Sequence, residues 1–171
     1  MNYQIVIDQL KLNWFRKKIL KRIIYKNLDN HMYCVGDIKS TYHTNAFLHK
    51  LPELSFFVNK INYSSNKIFK KNIRILSMWA NVGSYDSKVI PHDHIVDKFT
   101  KHRADDFFVN HGICGAFYLS KPKNSGNFIA KNDIVDINEN DLVYFSPHMF
   151  HSTEINKSHQ DRIVISFNGT L

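Results

Sequence analysis

The chain has 171 residues, 43% of them hydrophobic and 22% charged, enough for a substantial buried core. No apolar run nears the roughly 20 residues that span a bilayer, and Met1–Ile5 lacks the basic start and apolar centre of a secretory leader. The two cysteines, Cys34 and Cys114, form no Cys-x-x-Cys pair, which argues against a disulfide framework and fits a reducing cytoplasm. The formal charge of +8 favours anionic partners. Abundant Lys, Asn and Ile is equally a mark of AT-rich coding, so the charge by itself carries little weight.

Residues 8 to about 27 read as a helix, because Leu12, Phe15, Ile19 and Ile23 recur at spacings of three and four. Between positions 11 and 26 the chain is basic: Lys11, Arg16, Lys17, Lys18, Lys21, Arg22 and Lys26 stand there without an acid. Such a helix can lie against nucleic acid, but the favoured expectation is a solvated outer face on a helix packed against the core. Residues 30 to 50 show no period. Pro52 opens a second helix through Leu54, Phe57, Val58 and Ile61, and Tyr63-Ser64-Ser65-Asn66 is expected to break it.

From position 73 the pattern becomes β. Strands are expected at 73–82, 112–119, 127–130, 141–145, 151–155 and 162–168, with turns at 121–126 and 138–140 and a charged loop over about 97–110. The expected class is mainly β with N-terminal helices (α+β), the strands forming a sandwich or barrel. One domain is expected over 1–171, with helical support over 1–72 and the β core over 73–171.

The chemistry gathers in Pro91-His92-Asp93-His94. Two histidines at i and i+2 on an extended segment point the same way, and neutral imidazole is the commonest nitrogen ligand for first-row metals. His151, 57 residues beyond His94, supplies a third candidate ligand, and Arg162 follows 11 residues later. In the last strand Arg162, Val164, Ser166 and Asn168 share one face, and Ile163, Ile165 and Phe167 share the other. If the apolar set packs into the core, Arg162 and Ser166 face a barrel cavity. A guanidinium there needs an anion and matches a carboxylate bidentately.

Trp79-Ala80-Asn81, Pro91-His92-Asp93-His94, Cys114-Gly115-Ala116-Phe117-Tyr118-Leu119, Leu142-Val143-Tyr144-Phe145-Ser146-Pro147, His151 and Arg162-Ile163-Val164-Ile165-Ser166-Phe167-Asn168 occur in that order. The set resembles the iron(II)/2-oxoglutarate-dependent oxygenases of the small bacterial and phage type, over roughly residues 73 to 168. The resemblance implies a double-stranded β-helix (jelly-roll) core with Fe(II) on His92, His94 and His151. It implies 2-oxoglutarate paired with Arg162, Ser166 assisting, and Asn81 and Tyr118 lining the cosubstrate pocket. The implied reaction consumes O2 and 2-oxoglutarate, releases succinate and CO2, and hydroxylates a substrate that the sequence does not name.

This chain departs from that pattern in carrying His94 where most of the superfamily has a carboxylate. Three neutral imidazoles leave the metal its full double charge, so iron is expected to bind less tightly before the dianionic cosubstrate arrives. Asp97 is a lower-ranked alternative ligand, and His148 competes with His151. The stretch 95–110, with Asp97, His102, Asp105, Asp106 and the adjoining His111, reads as a lid or substrate loop. Two other functions compete. A cupin-like tri-histidine metalloenzyme would use the same ligands without 2-oxoglutarate, although Ile95-Val96-Asp97-Lys98 lacks the Glu of its first motif. A non-enzymatic basic β module would bind nucleic acid through residues 11–26.

Overall fold

The period-two stretches in the second half of the chain form the strands that this period demands. The computed structural model describes residues 5–29, 32–33, 36–95 and 104–171. The strands are β1 (Val6–Gln9), β2 (Met32–Tyr33), β3 (Ile38–Ser40), β4 (Arg74–Gly83), β5 (Gly112–Ser120), β6 (Phe128–Ala130), β7 (Asp133–Val135), β8 (Asp141–Phe145), β9 (His151–Thr153) and β10 (Arg162–Thr170). The helices are α1 (Trp14–Asn27), α2 (Ser55–Phe69) and α3 (Asp106–His111). A large sheet runs β1-β8-β5-β10-β4-β3-β2 and a small one β7-β6-β9, with antiparallel pairing throughout.

Both faces of the large sheet are covered. On the outer face Leu20, Ile23 and Ile24 of α1 and Phe57 and Ile61 of α2 pack with Met78, Ala80, Phe117, Leu142, Ile163, Ile165 and Phe167. On the inner face Cys114, Ala116, Tyr118, Val143 and Phe145 meet Phe128 and Ala130 of the small sheet and Phe108 of α3. Alternate residues of β5 and β8 therefore enter different clusters, and neither strand has a polar side. That is why 112–119 reads as an unbroken apolar run. Each side chain fully buried here contributes about 1.5–3 kcal/mol. Gly115 lets β5 and β10 lie close: a Cβ at that position would stand 2.2 Å from Cζ of Phe167.

The N-terminal region differs from expectation in three respects. First, α1 begins at Trp14, where the Asn13 side chain accepts the Arg16 N–H and caps the helix. The preceding residues are drawn into the sheet as β1, paired with β8. The expected apolar stripe therefore shifts: Leu12 is buried but precedes the helix, Phe15 is 63% exposed, and the inward face is Leu20, Ile23 and Ile24. Second, Tyr63-Ser64-Ser65-Asn66 does not break α2. Ser64 Oγ donates to Asp8 Oδ2 (2.7 Å) and Ser65 Oγ to the Lys71 carbonyl (2.7 Å), so both hydroxyls are buried at no cost to the helix. The helix ends where Lys70 turns left-handed (φ 58°). Third, β2 and β3 lie within the stretch that shows no period.

The loop over 97–110 is helical at its end, because Asp105 Oδ1 accepts the Phe108 N–H and caps α3. Asp97 and His102 lie outside the described residues. The basic face of α1 is turned outward as expected: Lys18, Arg22 and Lys26 are exposed, and Lys17 pairs with Glu139. Among the described residues no helix is long and apolar enough to cross a membrane.

Candidate metal centre

The segment carrying His92 and His94 lies antiparallel to the chain around His151. His92 and His151 exchange both backbone hydrogen bonds (N···O 3.0 and 2.8 Å), and the His94 N–H donates to the Pro147 carbonyl (3.0 Å). The i, i+2 spacing then puts both His92 and His94 on the side facing His151. One ring nitrogen from each of the three lies within 4.8 Å of the other two. No carboxylate of the described residues joins this group.

The remaining ring nitrogens fix the tautomers. His92 Nδ1 lies 3.0 Å from the Ile90 carbonyl, and His151 Nδ1 lies 2.9 Å from the Met149 carbonyl. His94 Nδ1 lies 2.6 Å from Asn168 Oδ1 and 3.1 Å from Cys114 Sγ. Carbonyl and amide oxygens only accept, so Nδ1 carries a hydrogen in each ring, and in a neutral ring Nε2 then keeps its lone pair. Phe145 and Phe128 pack on the His151 ring, and Phe145 and Trp79 on that of His94. Burial, with His92 beside it, lowers the His94 pKa to about 4, while Asn168 and Asp93 act the other way. Burial and the two neighbouring imidazoles also hold His151 well below its ordinary value. Both rings are therefore neutral at pH 7, which is the form that binds metal. This donor set fits a first-row divalent ion.

From Asn168, which meets His94, the inner face of β10 runs through Ser166 and Val164 to Arg162. The register of β4, β10 and β5 sets three rows of side chains across the inner face: Asn81, Val164 and Tyr118; Trp79, Ser166 and Ala116; Ser77, Asn168 and Cys114. Trp79, Asn81, Val164, Ser166 and Asn168 remain partly accessible although this face is enclosed, and their outward neighbours Met78, Ala80, Ile163, Ile165 and Phe167 are fully buried. Arg162 ends the row and is 2% exposed. Its Nη1 donates to the carbonyls of Ser125 and Glu154, and its Nη2 to Thr153 Oγ1 (2.7 Å). All three partners are neutral. Burial lowers the Arg162 pKa and raises that of the Tyr118 phenol; the two groups face each other, and each moderates the other's shift. The Glu154 carboxylate also favours the guanidinium charge, but it accepts the Asn127 N–H.

The structure thus brings His92, His94 and His151 together, and sets Arg162, Tyr118, Ser166 and Asn81 on one interior face. The Asn81 side-chain oxygen is already engaged by Ser40 Oγ (2.8 Å). His148 is outside the cluster, exposed, with Nε2 on the Val109 carbonyl (3.0 Å). Asp93 points away and accepts the Ile95 N–H. Sequence reasoning missed two supporting groups, Thr153 and Cys114, and gave Asn168 a face but no role. The pattern His151-x-Thr153 was a usable signal, since i and i+2 share a face of a strand.

No protein-family profile matches the chain, and no curated protein matches it in sequence. Solved structures do match in fold. HygX from Streptomyces hygroscopicus, with nickel and 2-oxoglutarate bound, matches with a TM-score of 0.70 at 11% identity, over 97% of this chain and 82% of its own. The viral collagen prolyl hydroxylase vCPH from Paramecium Bursaria Chlorella virus-1, in its 2-oxoglutarate complex, matches with a TM-score of 0.67 at 10% identity, over 98% and 96%. The non-heme α-ketoglutarate-dependent epimerase SnoN from nogalamycin biosynthesis matches with a TM-score of 0.71 at 9% identity, over 97% and 77%. Nearly the whole chain therefore has the fold of the iron/2-oxoglutarate-dependent oxygenases.

Proposed function

We propose that the protein is an iron(II)- and 2-oxoglutarate-dependent oxygenase that hydroxylates its substrate. One observation carries the proposal: three imidazoles converge beside an interior face that ends in a buried guanidinium with donors to spare. His92, His94 and His151 hold Fe(II). Arg162 takes the distal carboxylate of 2-oxoglutarate, with Tyr118, Ser166 and Asn81 lining its path. When bound, the iron and 2-oxoglutarate supply the oxygen activation and oxidative decarboxylation. The chemistry so supplied would consume O2 and 2-oxoglutarate, release succinate and CO2, and leave the substrate hydroxylated.

The chain itself binds, orients and excludes water. The carbonyls of Ile90 and Met149 and the amide of Asn168 hold the three rings in the Nδ1–H tautomer. Ser125, Glu154 and Thr153 fix the guanidinium plane. Phe128, Val143, Phe145 and Val164 keep the space between them apolar, which strengthens every charge interaction inside it. We further propose one domain over 1–171, whose residues 73–171 form a double-stranded β-helix (jelly-roll) core on an N-terminal support of helices and added strands. A reducing cytoplasm suits both ferrous iron and the free buried thiol of Cys114. Nucleic-acid binding through α1 has less support, since that helix covers the face of the large sheet opposite the histidines.

The test is an anaerobic titration of apoprotein with Fe(II) and then 2-oxoglutarate, watching for the visible charge-transfer band of the chelate. The band is expected in the wild type and lost in His151→Ala and Arg162→Ala. Iron binding without the band points instead to a cupin-like metalloenzyme, and absence of iron binding refutes the proposal.

A further inference from the structure

We infer that Asn168 is a positioning residue that holds His94 as a neutral ligand from across the sheet, an inference that rests on the proposed iron site. The other two rings are secured locally: His92 and His151 each bond the carbonyl two residues back in their own chain, those of Ile90 and Met149. His94 is not held in this way. The carbonyl two residues before it is that of His92, which accepts the His151 N–H (2.8 Å). The orientation of the His94 ring comes instead from β10 and β5. Their register sets Asn168 opposite Cys114 on the inner face, and Asn168 Oδ1 and Cys114 Sγ both meet Nδ1, at 2.6 and 3.1 Å.

The chemistry of the pair matters as much as its position. An amide oxygen accepts the Nδ1 hydrogen and leaves Nε2 aimed at the metal, yet it adds no charge. A carboxylate in that place would make the imidazole more basic and bring a negative charge to the metal's surroundings. Asn168 therefore supports metal binding through ring geometry alone and adds no charge, and the charge deficit is left for 2-oxoglutarate to fill. Metal and cosubstrate then bind as a mutually strengthening pair, as linkage requires.

The experiment uses the full chain and Co(II), whose d–d absorption reports coordination, titrated with and without 2-oxoglutarate. Asn168→Leu removes the acceptor; Asn168→Asp keeps it in the same shape and adds charge. Asn168→Leu is expected to weaken Co(II) binding about 10- to 100-fold, the usual loss when a supporting partner of a ligand is removed, and to alter the band. Asn168→Asp is expected to bind Co(II) at least as tightly as the wild type, and to gain less from added 2-oxoglutarate. Thermal melting of each variant separates misfolding from mispositioning. Two outcomes overturn the inference while leaving the iron site standing: Asn168→Leu with wild-type affinity and band, or a well-folded Asn168→Asp that binds no better than Asn168→Leu. A wild-type protein that gives no Co(II) band under either condition overturns the metal site, and the inference with it.

Discussion

Arg162→Lys keeps a positive charge at the start of β10 but removes the fork. A guanidinium has five N–H donors. Nη1 commits two of them to Ser125 and Glu154, and Nη2 commits one to Thr153. That leaves Nε–H and one N–H of Nη2, on adjoining nitrogens, which suits the two oxygens of one carboxylate. A hydrogen bond to a charged group contributes about 1.5–3 kcal/mol net. An ammonium that keeps one such bond and loses the other should weaken 2-oxoglutarate roughly 10- to 140-fold, at about 1.4 kcal/mol per decade. Arg162→Met, which loses both, should weaken it roughly 10²- to 10⁴-fold on the same arithmetic. The assay is an anaerobic titration of the metal-loaded protein with 2-oxoglutarate, and in parallel with 2-oxobutyrate, which lacks the distal carboxylate. The variants should hold 2-oxobutyrate as the wild type does, within about twofold, since the missing contact is one that this ligand never makes. Equal losses for both ligands, or an unchanged 2-oxoglutarate affinity, would refute the assignment of Arg162.

Three further outcomes are expected. His151→Ala removes a ligand and not merely its support, so divalent-metal affinity measured by calorimetry should fall by more than the roughly 10- to 100-fold cost of losing a supporting partner; near-wild-type affinity would make the cluster structural. Gly115→Ala drives a methyl against the Phe167 ring between paired strands, and should cost about 1–3 kcal/mol or more in denaturant unfolding; a neutral result would mean that β5 and β10 part easily. Ser64→Ala should cost about 1–2 kcal/mol at pH 7, or roughly 2–8 °C in Tm. That cost depends on pH. Burial opposes the Asp8 charge, but the Ser64 hydroxyl, Lys67 and the Gln9 N–H outweigh it and hold the carboxyl below its ordinary 3.8. A depressed carboxylate stabilises the fold above its unfolded pKa and loses that contribution as pH falls through the folded value. The gap between variant and wild type should therefore shrink below about pH 4; a gap that stays constant to pH 2 would show that the hydroxyl acts independently of the Asp8 charge.

The second half of the fold is legible because its strands obey one rule. β4, β5, β8 and β10 alternate or run apolar according to whether one or two faces are covered, and the expected bounds lie within two residues of those observed. The first half obeys tertiary rules that a local pattern does not carry. Asp8 and Gln9 read as the start of a helix until β8 offers Val6–Gln9 an edge, and Ser64-Ser65 reads as part of a breaker until Asp8 and the Lys71 carbonyl take the two hydroxyls. The candidate site divides in the same way. His92, His94, His151 and Arg162 are readable because imidazoles spaced i, i+2 on an extended segment, a distant third imidazole and an arginine opening an apolar strand are metal- and anion-binding types whose order shows in the sequence. Thr153, Cys114 and Asn168 are common residues whose roles exist only through register: Asn168 opposite Cys114, and Thr153 two positions after His151.

That register also makes the inner face of β10 a ruler with whole-residue graduations. His151 and Thr153 lie two residues apart on β9, about 7 Å, and Thr153 in turn holds the guanidinium that closes the far end. The distance between the two ends is thus counted in backbone units and is not tuned by side-chain reach. Sliding β10 by one residue would turn Arg162, Val164, Ser166 and Asn168 to the helix side and bring Ile163, Ile165 and Phe167 inward; sliding it by two would move the clamp by about 7 Å. On the proposed role of Arg162, a diacid one carbon longer or shorter than 2-oxoglutarate would fall between these graduations.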